Sequence, residues 1–499
     1  MSMGFSGVSQ LTIDRRLEIV KYINDPVYGS IGLTSMEVDL INTPVFQRLR
    51  GLRQLARVDY VFPGAEHSRF VHSLGVLYVM GLMTEHLLHH NMINEEDAVK
   101  MRVAALLHDI GHFPLSHLGE TVYGYFEDSS YSSKIISTEE NAEKNTIPLY
   151  QLSSFQSKSA DHERLGKYIV ENNSSIRETL ISNDLNPSEI GDIFTGKFGA
   201  INMVYTQLLH SSLDADRLDY LLRDSFQTGV KYGLVDLEYL IRLLMVIDTP
   251  YEMKEKELGG SEKMLVCDKK GQHVIDHFLM SRFFHYSQVV NHKTNASFEG
   301  LIKCMYIKLV DSGKYMFNNL NEIRENVNTD RFLSFNDASL EVAFKEYNDI
   351  TQDEEYKMLY RMYRRRYRPK TLIDLKCFDK NDTHSDEVTV LKRLLKKEPE
   401  KISEIIGSNH WGYQVKSISV EKIHSRSTTK ESREARGEDY GEAIKLYDRR
   451  SHEVSYLAEN PLSVINKLAD YNSQFVRIFI LDDEEHDCEK MQDLIYELL

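Results

Sequence analysis

Cysteine is scarce in this chain: Cys267, Cys304, Cys377 and Cys488 are the four, none of them in a CxxC pair. Thiols so scattered exclude a disulfide framework and fit a reducing compartment. Proline, at 10 residues, and glycine, at 26, are also few. Helical periodicity therefore continues through most of the sequence, and the expected fold is mainly α. No apolar run reaches the roughly 18 residues that a membrane-spanning helix requires. The start, Met1-Ser-Met-Gly-Phe-Ser6, has neither the basic opening nor the apolar stretch of a signal peptide, so the expected setting is cytoplasmic. Basic residues are not in excess either. The formal net charge of −16 argues against a general nucleic-acid coat and leaves room only for a local basic pocket within an acidic shell. Length is plentiful: 499 residues, 41% apolar and 27% charged, suit a large soluble core with a second lobe.

Histidine and carboxylate are concentrated in Val103-Ala-Ala-Leu-Leu-His-Asp-Ile-Gly-His-Phe-Pro-Leu-Ser-His117. The spacing predicts a helix from about Glu95 to Ile110, apolar at 99, 103, 106, 107 and 110, that stops at Gly111 before Pro114. His108 and Asp109 then project from the end of a packed element, where ligands for a metal or a phosphate have little freedom. Upstream, Val61 to Gly75 leads into a helix that is apolar nearly all round through Leu88 and belongs in the core. His72 opens that helix, three residues after Arg69. A buried imidazole suits a metal and a guanidinium suits a phosphate oxygen, although a lone histidine there is more often structural.

Between Tyr205 and Asp224, helical spacing puts Asp216, Tyr220 and Arg223 on one face, with Arg217, Tyr220 and Asp224 sharing another. A merely solvated helix does not call for a tyrosine in that stripe. His162-Glu163 opens a further helix, either as an acid/base pair or as an ordinary first turn. Met36 to Leu55 reads as a helix interrupted at Thr43-Pro44, with Gln47, Arg50 and Gln54 on one face; spacing alone makes that face a solvated cationic one. His86, His89 and His90 read as surface residues. Tyr356 to Lys370 packs arginines among tyrosines, which reads as a helix face paired with the acidic surface rather than a nucleic-acid patch. Val415 to Val420 and Phe475 to Leu481 read as strands, and Ser425 to Gly441 as a charged loop. The expected organisation is a core over residues 1–345, with a surface excursion at about 127–160, and an α+β lobe over 346–499 that serves assembly.

His72, the His108-Asp109 doublet and Asp216 resemble the H…HD…D pattern of the HD-domain metal phosphohydrolases. The flanking stretches are sharper: Asp25-Pro26, Thr43-Pro-Val-Phe-Gln-Arg-Leu-Arg50, Val61-Phe-Pro-Gly-Ala65, His72-Ser-Leu-Gly75 and Asp216-Arg-Leu-Asp-Tyr220. They are similar to the deoxynucleoside triphosphate triphosphohydrolases, and in particular to bacterial relatives of the animal enzyme that carries a sterile-alpha-motif domain. The resemblance runs from about Lys21 to Lys293.

It implies an HD-domain helical core and a divalent metal (Mn, Fe, Mg or Zn) on His72, His108, Asp109 and Asp216. It also implies His117 as the proton donor to the leaving 5′-oxygen, with Glu120 orienting it and His112 and His162 facing phosphate. Arg69, Arg217, Tyr220 and Arg282 would contact the triphosphate, and Gln54 and Asp224 the sugar 3′-hydroxyl. Lys21, Asn24, Gln47, Arg50, His292 and Lys293 match positions of a regulatory nucleotide site. Asn42 stands there in place of an acid that reads guanine, which weakens the expectation of guanine-specific activation. Val290 stands in place of a sugar-stacking tyrosine, which weakens the expectation of discrimination between deoxyribose and ribose. The implied reaction is hydrolysis of a deoxynucleoside triphosphate to deoxynucleoside and inorganic triphosphate by a homo-oligomer, dimer to tetramer, with a nucleotide activator. Two other readings stay open: an HD-type phosphodiesterase or nuclease, and a nucleotide-sensing protein without turnover.

Overall fold

The computed structural model describes residues 14–128, 147–157, 159–196, 203–250, 262–380, 386–419, 443–468 and 471–499. Ile19–Asp25 (β1) and Gly29–Thr34 (β2) form an antiparallel hairpin. Its turn is closed by Asp25, whose carboxylate accepts from the N–H groups of Val27 and Tyr28. Thr34 and Glu37 make a capping box that starts helix α1, Ser35–Asn42. Thr43 then caps α2, Pro44–Gln47, where proline occupies the first turn. The expected continuation of this helix to Leu55 does not occur. A 3₁₀ turn over Arg48–Gly51 gives way to extended backbone at Leu52. The reason is that the Arg53 N–H is claimed by the Asp337 carboxylate and the Gln54 N–H by the His67 carbonyl. Gln54 therefore does not share a helical face with Gln47 and Arg50.

The centre of the larger body is α3, Arg69–His89, in which thirteen residues are buried. Among the described residues it is the one helix with the length and hydropathy to cross a membrane, but 61% of that window is buried within the fold, as a core helix requires. Helix α4, Glu95–Leu107, starts at an Asn94/Asp97 capping box and packs along α3. Helix α5 (His117–Glu127) follows the loop that carries His108 to Ser116. Of the expected surface excursion over 127–160, residues 129–146 lie outside the described residues, and the described end packs into the fold. Helix α6, Leu149–Ser154, buries Leu149, Tyr150, Leu152 and Ser153, and Tyr150 stacks on Trp411 at 4.6 Å.

Helices α7 (His162–Asn172), α8 (Ala215–Thr228), α9 (Gln272–His285) and α10 (Lys293–Asp311) continue the larger body. Helices α11, Asp337–Ile350, and α12, Glu354–Arg365, close the same core. On α12, Met358, Leu359 and Met362 face inward while Arg361 pairs with Asp483. The smaller lobe is an antiparallel sheet in which Tyr471–Ile480 lies between Thr371–Lys380 and Trp411–Ser419. Residues 443–468 return to the larger body, where Lys445–Asp448 pairs in parallel with Lys263–Asp268. The charged stretch 425–441 lies outside the described residues.

Candidate functional site

Three helix ends and one loop bring the first cluster together. His72 sits in the first turn of α3 and is fully buried. Its Nδ1 bonds Asp219 Oδ2 at 2.7 Å. Asp219 is in turn gripped by Arg223 (Nε to Oδ2 2.9 Å, Nη2 to Oδ1 3.0 Å), and Arg223 reaches Asp25 Oδ2 at 2.8 Å. This chain of charges fixes the ring with Nε2 aimed into the cluster. His108 is fixed the same way, with Nδ1 on the Ala105 carbonyl at 2.8 Å. Among the described residues His108 Nε2 has no hydrogen-bond partner, and His72 Nε2 has only the Asp216 carboxylate beside it.

His72 Nε2 lies 3.0 Å from Asp216 Oδ1 and 3.7 Å from Asp109 Oδ2. His108 Nε2 lies 3.4 Å from Asp109 Oδ1 and 3.9 Å from Asp216 Oδ1. Two imidazoles and two carboxylates thus converge, a donor set that suits a divalent transition ion. The electrostatics agree with a cationic occupant. Burial lowers the His72 imidazole, yet the Asp216 and Asp219 carboxylates overcome it and push it up to about 10. Burial raises Asp109, but Arg69, His108 and His112 hold it well below the usual carboxylate range.

Gly75 explains part of the spacing. A Cβ there would stand 1.9 Å from Asp219 Oδ1, so only glycine lets α3 and α8 approach closely enough for the Asp219–His72 bond. Helical spacing alone puts Arg223 on one face with Asp216 and Tyr220, as a group facing the site. Instead it is fully buried behind Asp219, one turn further along α8, where Asp25 supplies a second carboxylate. Its role is to hold the residue that holds His72.

The second cluster adjoins the first. Glu120 bridges two histidines, with Oε2 2.8 Å from His117 Nδ1 and Oε1 3.0 Å from His162 Nδ1. The His162 ring stacks on His112 at 3.8 Å, and His112 Nε2 lies 3.2 Å from Asp109 Oδ1. Burial raises the Glu120 carboxyl, but the two histidines hold it well below its ordinary value. Burial lowers His162, which Glu120 nevertheless pushes up to about 9. Burial, with Arg69 beside it, drives His112 well below the ordinary imidazole range. The His117 side chain is 70% exposed, anchored on one nitrogen and open on the other. An anchored, accessible imidazole is the form a proton donor takes.

Residues expected to meet an anionic substrate line the same region with different degrees of commitment. Arg69 is spent internally on Asp109 (2.6 Å) and Ser116 Oγ (2.8 Å). Arg217 lies 3.2 Å from the buried Asp214, which also caps α8. By contrast, Tyr220 Oη and the Arg282 Nε and Nη1 are buried with no hydrogen-bond partner among the described residues. Asp224 is held by His67 (2.8 Å) and His285 (3.0 Å), and Gln54 meets the same place through the His67 carbonyl.

The regulatory candidates are not drawn into these clusters. Lys21, Asn24 and Asn42 are exposed, on the hairpin and at the end of α1. Gln47 accepts from Arg50 at 2.7 Å, and the Arg50 guanidinium covers the Phe70 ring at 3.6 Å. His292 caps α10, where Lys293 is exposed.

Sequence reasoning passed over His67, His285, Asp219 and Arg48. Arg48 is 4% exposed and donates to the carbonyls of Phe335, Ile110 and His112, which ties the histidine loop to the chain ahead of α11. An arginine set between the apolar Phe46 and Leu49 is the one signal the sequence offers.

An HD-domain family model matches residues 69–224, a span that opens on Arg69, ends on Asp224 and contains both clusters. The chain carries an HD domain. This HD-domain chain is 28% identical over 291 residues to the uncharacterized protein YwfO of Bacillus subtilis, covering 58% of this chain and 55% of the relative. It is 30% identical over 289 residues to the uncharacterized protein MJ1154 of Methanocaldococcus jannaschii, covering 58% and 50%. The deoxynucleoside triphosphate triphosphohydrolase SAMHD1 of Mus musculus is 28% identical over 264 residues, 51% of this chain and 39% of that protein. The HD-domain chain thus spans about half the length, or less, of the curated relatives it matches. Among solved structures, a phosphohydrolase from Bacteroides thetaiotaomicron covers 92% of this chain at a TM-score of 0.62 and 22% identity, with 99% of that chain covered. A hypothetical protein from Aquifex aeolicus covers 96% at a TM-score of 0.63 and 22% identity, with 100% of that chain covered. At such identity these two speak for the fold, a mainly α HD-domain core with a smaller α+β lobe.

Proposed function

We propose that this HD-domain protein is a metal-dependent hydrolase that converts deoxynucleoside triphosphates to deoxynucleoside and inorganic triphosphate. The observation that carries the reading is the side-by-side placement of two clusters: His72, His108, Asp109 and Asp216 converge, and the anchored His117–Glu120–His162 group begins next to them. A divalent ion on the first cluster would supply Lewis-acid activation of a phosphoryl group and of the attacking water. The chain's own groups account for the rest. Arg282 and Tyr220, with buried and unpartnered polar atoms, offer donors to the phosphate oxygens. Water attacks the α-phosphorus and gives up a proton to solvent, the bond from phosphorus to the 5′-oxygen breaks, and His117 delivers its proton to that oxygen. Glu120 keeps the imidazole in place, and Asp224 with Gln54 sits where the sugar would be read.

Similarity to SAMHD1, by its name a deoxynucleoside triphosphate triphosphohydrolase, supports this substrate class over other phosphate esters. Homo-oligomer formation and activation by a second nucleotide belong to the same proposal. The test is to incubate the protein with each deoxy- and ribonucleoside triphosphate and manganese, with and without a second nucleotide, and to score tripolyphosphate release. Release that disappears in Asp216→Ala supports the reading; cleavage of an oligonucleotide with no tripolyphosphate from any nucleotide contradicts it.

A further inference from the structure

His117 follows a turn that L-residues rarely adopt. Leu115 and Ser116 have φ of +60° and +55°, and Ser116 has ψ of −126°; neither is glycine. Such backbone persists only where the surrounding contacts over-determine it. Here they come from far along the chain. The Leu115 N–H donates to Asp337 Oδ1 at 2.8 Å, and Asp337 Oδ2 accepts the Arg53 N–H at 3.0 Å. Ser116 Oγ donates to the Arg53 carbonyl at 2.7 Å and accepts from Arg69 Nε at 2.8 Å. Asp337 is 8% exposed and opens α11, two residues after the Phe335 carbonyl that Arg48 holds. The segment 335–337 is therefore fastened to both ends of the loop that runs from Ile110 to His117.

We propose that Asp337 is a positioning residue for the reaction: it holds the left-handed Leu115-Ser116 turn and, through it, aims His117 at the leaving oxygen. This rests on the assignment of proton donation to His117 made above. Without the carboxylate, the turn relaxes toward ordinary backbone and the imidazole swings away. The orientation of His72 and His108 is unaffected, because Asp219 and the Ala105 carbonyl fix those rings.

The test compares Asp337→Ala and Asp337→Asn with the wild type in the full chain, on two substrates with manganese. One is a deoxynucleoside triphosphate, whose 5′-oxygen needs a proton to leave. The other is 4-nitrophenyl triphosphate, whose phenolate leaves without one. For Asp337→Ala, kcat on the nucleotide is expected to fall about 10–100-fold, with KM, manganese affinity and turnover of the nitrophenyl ester unchanged. Asp337→Asn, which keeps one acceptor, is expected to fall less, and it carries the test if the alanine variant does not fold. Equal losses on both substrates, weakened manganese binding, or no loss at all would each overturn the proposal. Imidazole ¹H–¹⁵N spectra read the state of the turn independently of turnover. If the wild type hydrolyses neither substrate, the proposed function fails, and loss of the His117 Nδ1 bond to Glu120 in the variants still decides whether Asp337 holds the turn.

Discussion

Replacing Gly75 with alanine tests whether the buried charge chain behind His72 sets the metal site. The added Cβ would stand 1.9 Å from Asp219 Oδ1, 2.5 Å from its Cγ and 2.3 Å from Arg223 Nη2. The carboxylate would have to retreat by roughly 1.5 Å to regain ordinary van der Waals separation. That breaks the 2.7 Å bond to His72 Nδ1 and disturbs both contacts to Arg223. Asp219 and Arg223 are fully buried, so solvent does not replace what is lost. Overpacking a core costs about 1–3 kcal/mol, and pulling a buried ion pair apart about 3–5 kcal/mol. A partly relaxed Gly75→Ala protein should therefore be destabilised by about 2–4 kcal/mol. Loss of an outer partner of a metal-binding histidine should weaken metal affinity by about 10–100-fold. Thermal unfolding and a manganese titration of the same preparations measure both effects. Unchanged melting together with unchanged manganese affinity would refute the role given to Asp219 and Gly75.

Other perturbations separate the remaining parts. Asp216→Ala should abolish hydrolysis while circular dichroism shows the fold retained; activity within about tenfold of wild type would remove Asp216 from the ligand set. Arg282→Ala should raise KM by about 10–100-fold with little change in melting temperature, because its Nε and Nη1 have no hydrogen-bond partner among the described residues. A drop in stability without a change in KM would assign Arg282 to the fold instead. The Glu120–His162 bond should stabilise the protein in a pH-dependent way. His162 is pushed up to about 9 from an ordinary value of 6.5, so the folded state binds the extra proton between them. Its contribution, up to about 3 kcal/mol, is complete below pH 6.5 and lost as pH rises through about 9. The stability difference between wild type and His162→Gln should shrink over that interval, and a difference that grows with pH would contradict the assignment.

The parts of the site legible in the sequence share a property: each lies on a helix or at its end, where spacing translates into direction. His72 at the start of α3, His108-Asp109 at the end of α4 and Asp216 in the first turn of α8 could be placed that way. Burial in the α3 helix was likewise visible in its unbroken apolar composition. What could not be read depends on partners distant in sequence. Arg48 looks like one more surface cation until the carbonyls of Ile110, His112 and Phe335 surround it. The helix expected to reach Leu55 fails because Asp337, 284 residues away, takes the Arg53 N–H. Arg223 has the right periodicity to join Asp216 and Tyr220, yet Asp25 and Asp219 hold it in the buried layer behind them. Polar composition around residues 127–160 concealed α6, whose Leu149 and Leu152 join the core.

The central claim is that water attacks the α-phosphorus beside the His72–His108–Asp109–Asp216 cluster while His117 protonates the departing 5′-oxygen. Hydrolysis of a deoxynucleoside triphosphate in ¹⁸O-labelled water, with the products resolved by mass spectrometry, tests it most directly. The account predicts one ¹⁸O in the released tripolyphosphate and none in the deoxynucleoside. Label in the deoxynucleoside, or products limited to pyrophosphate or orthophosphate, would contradict it.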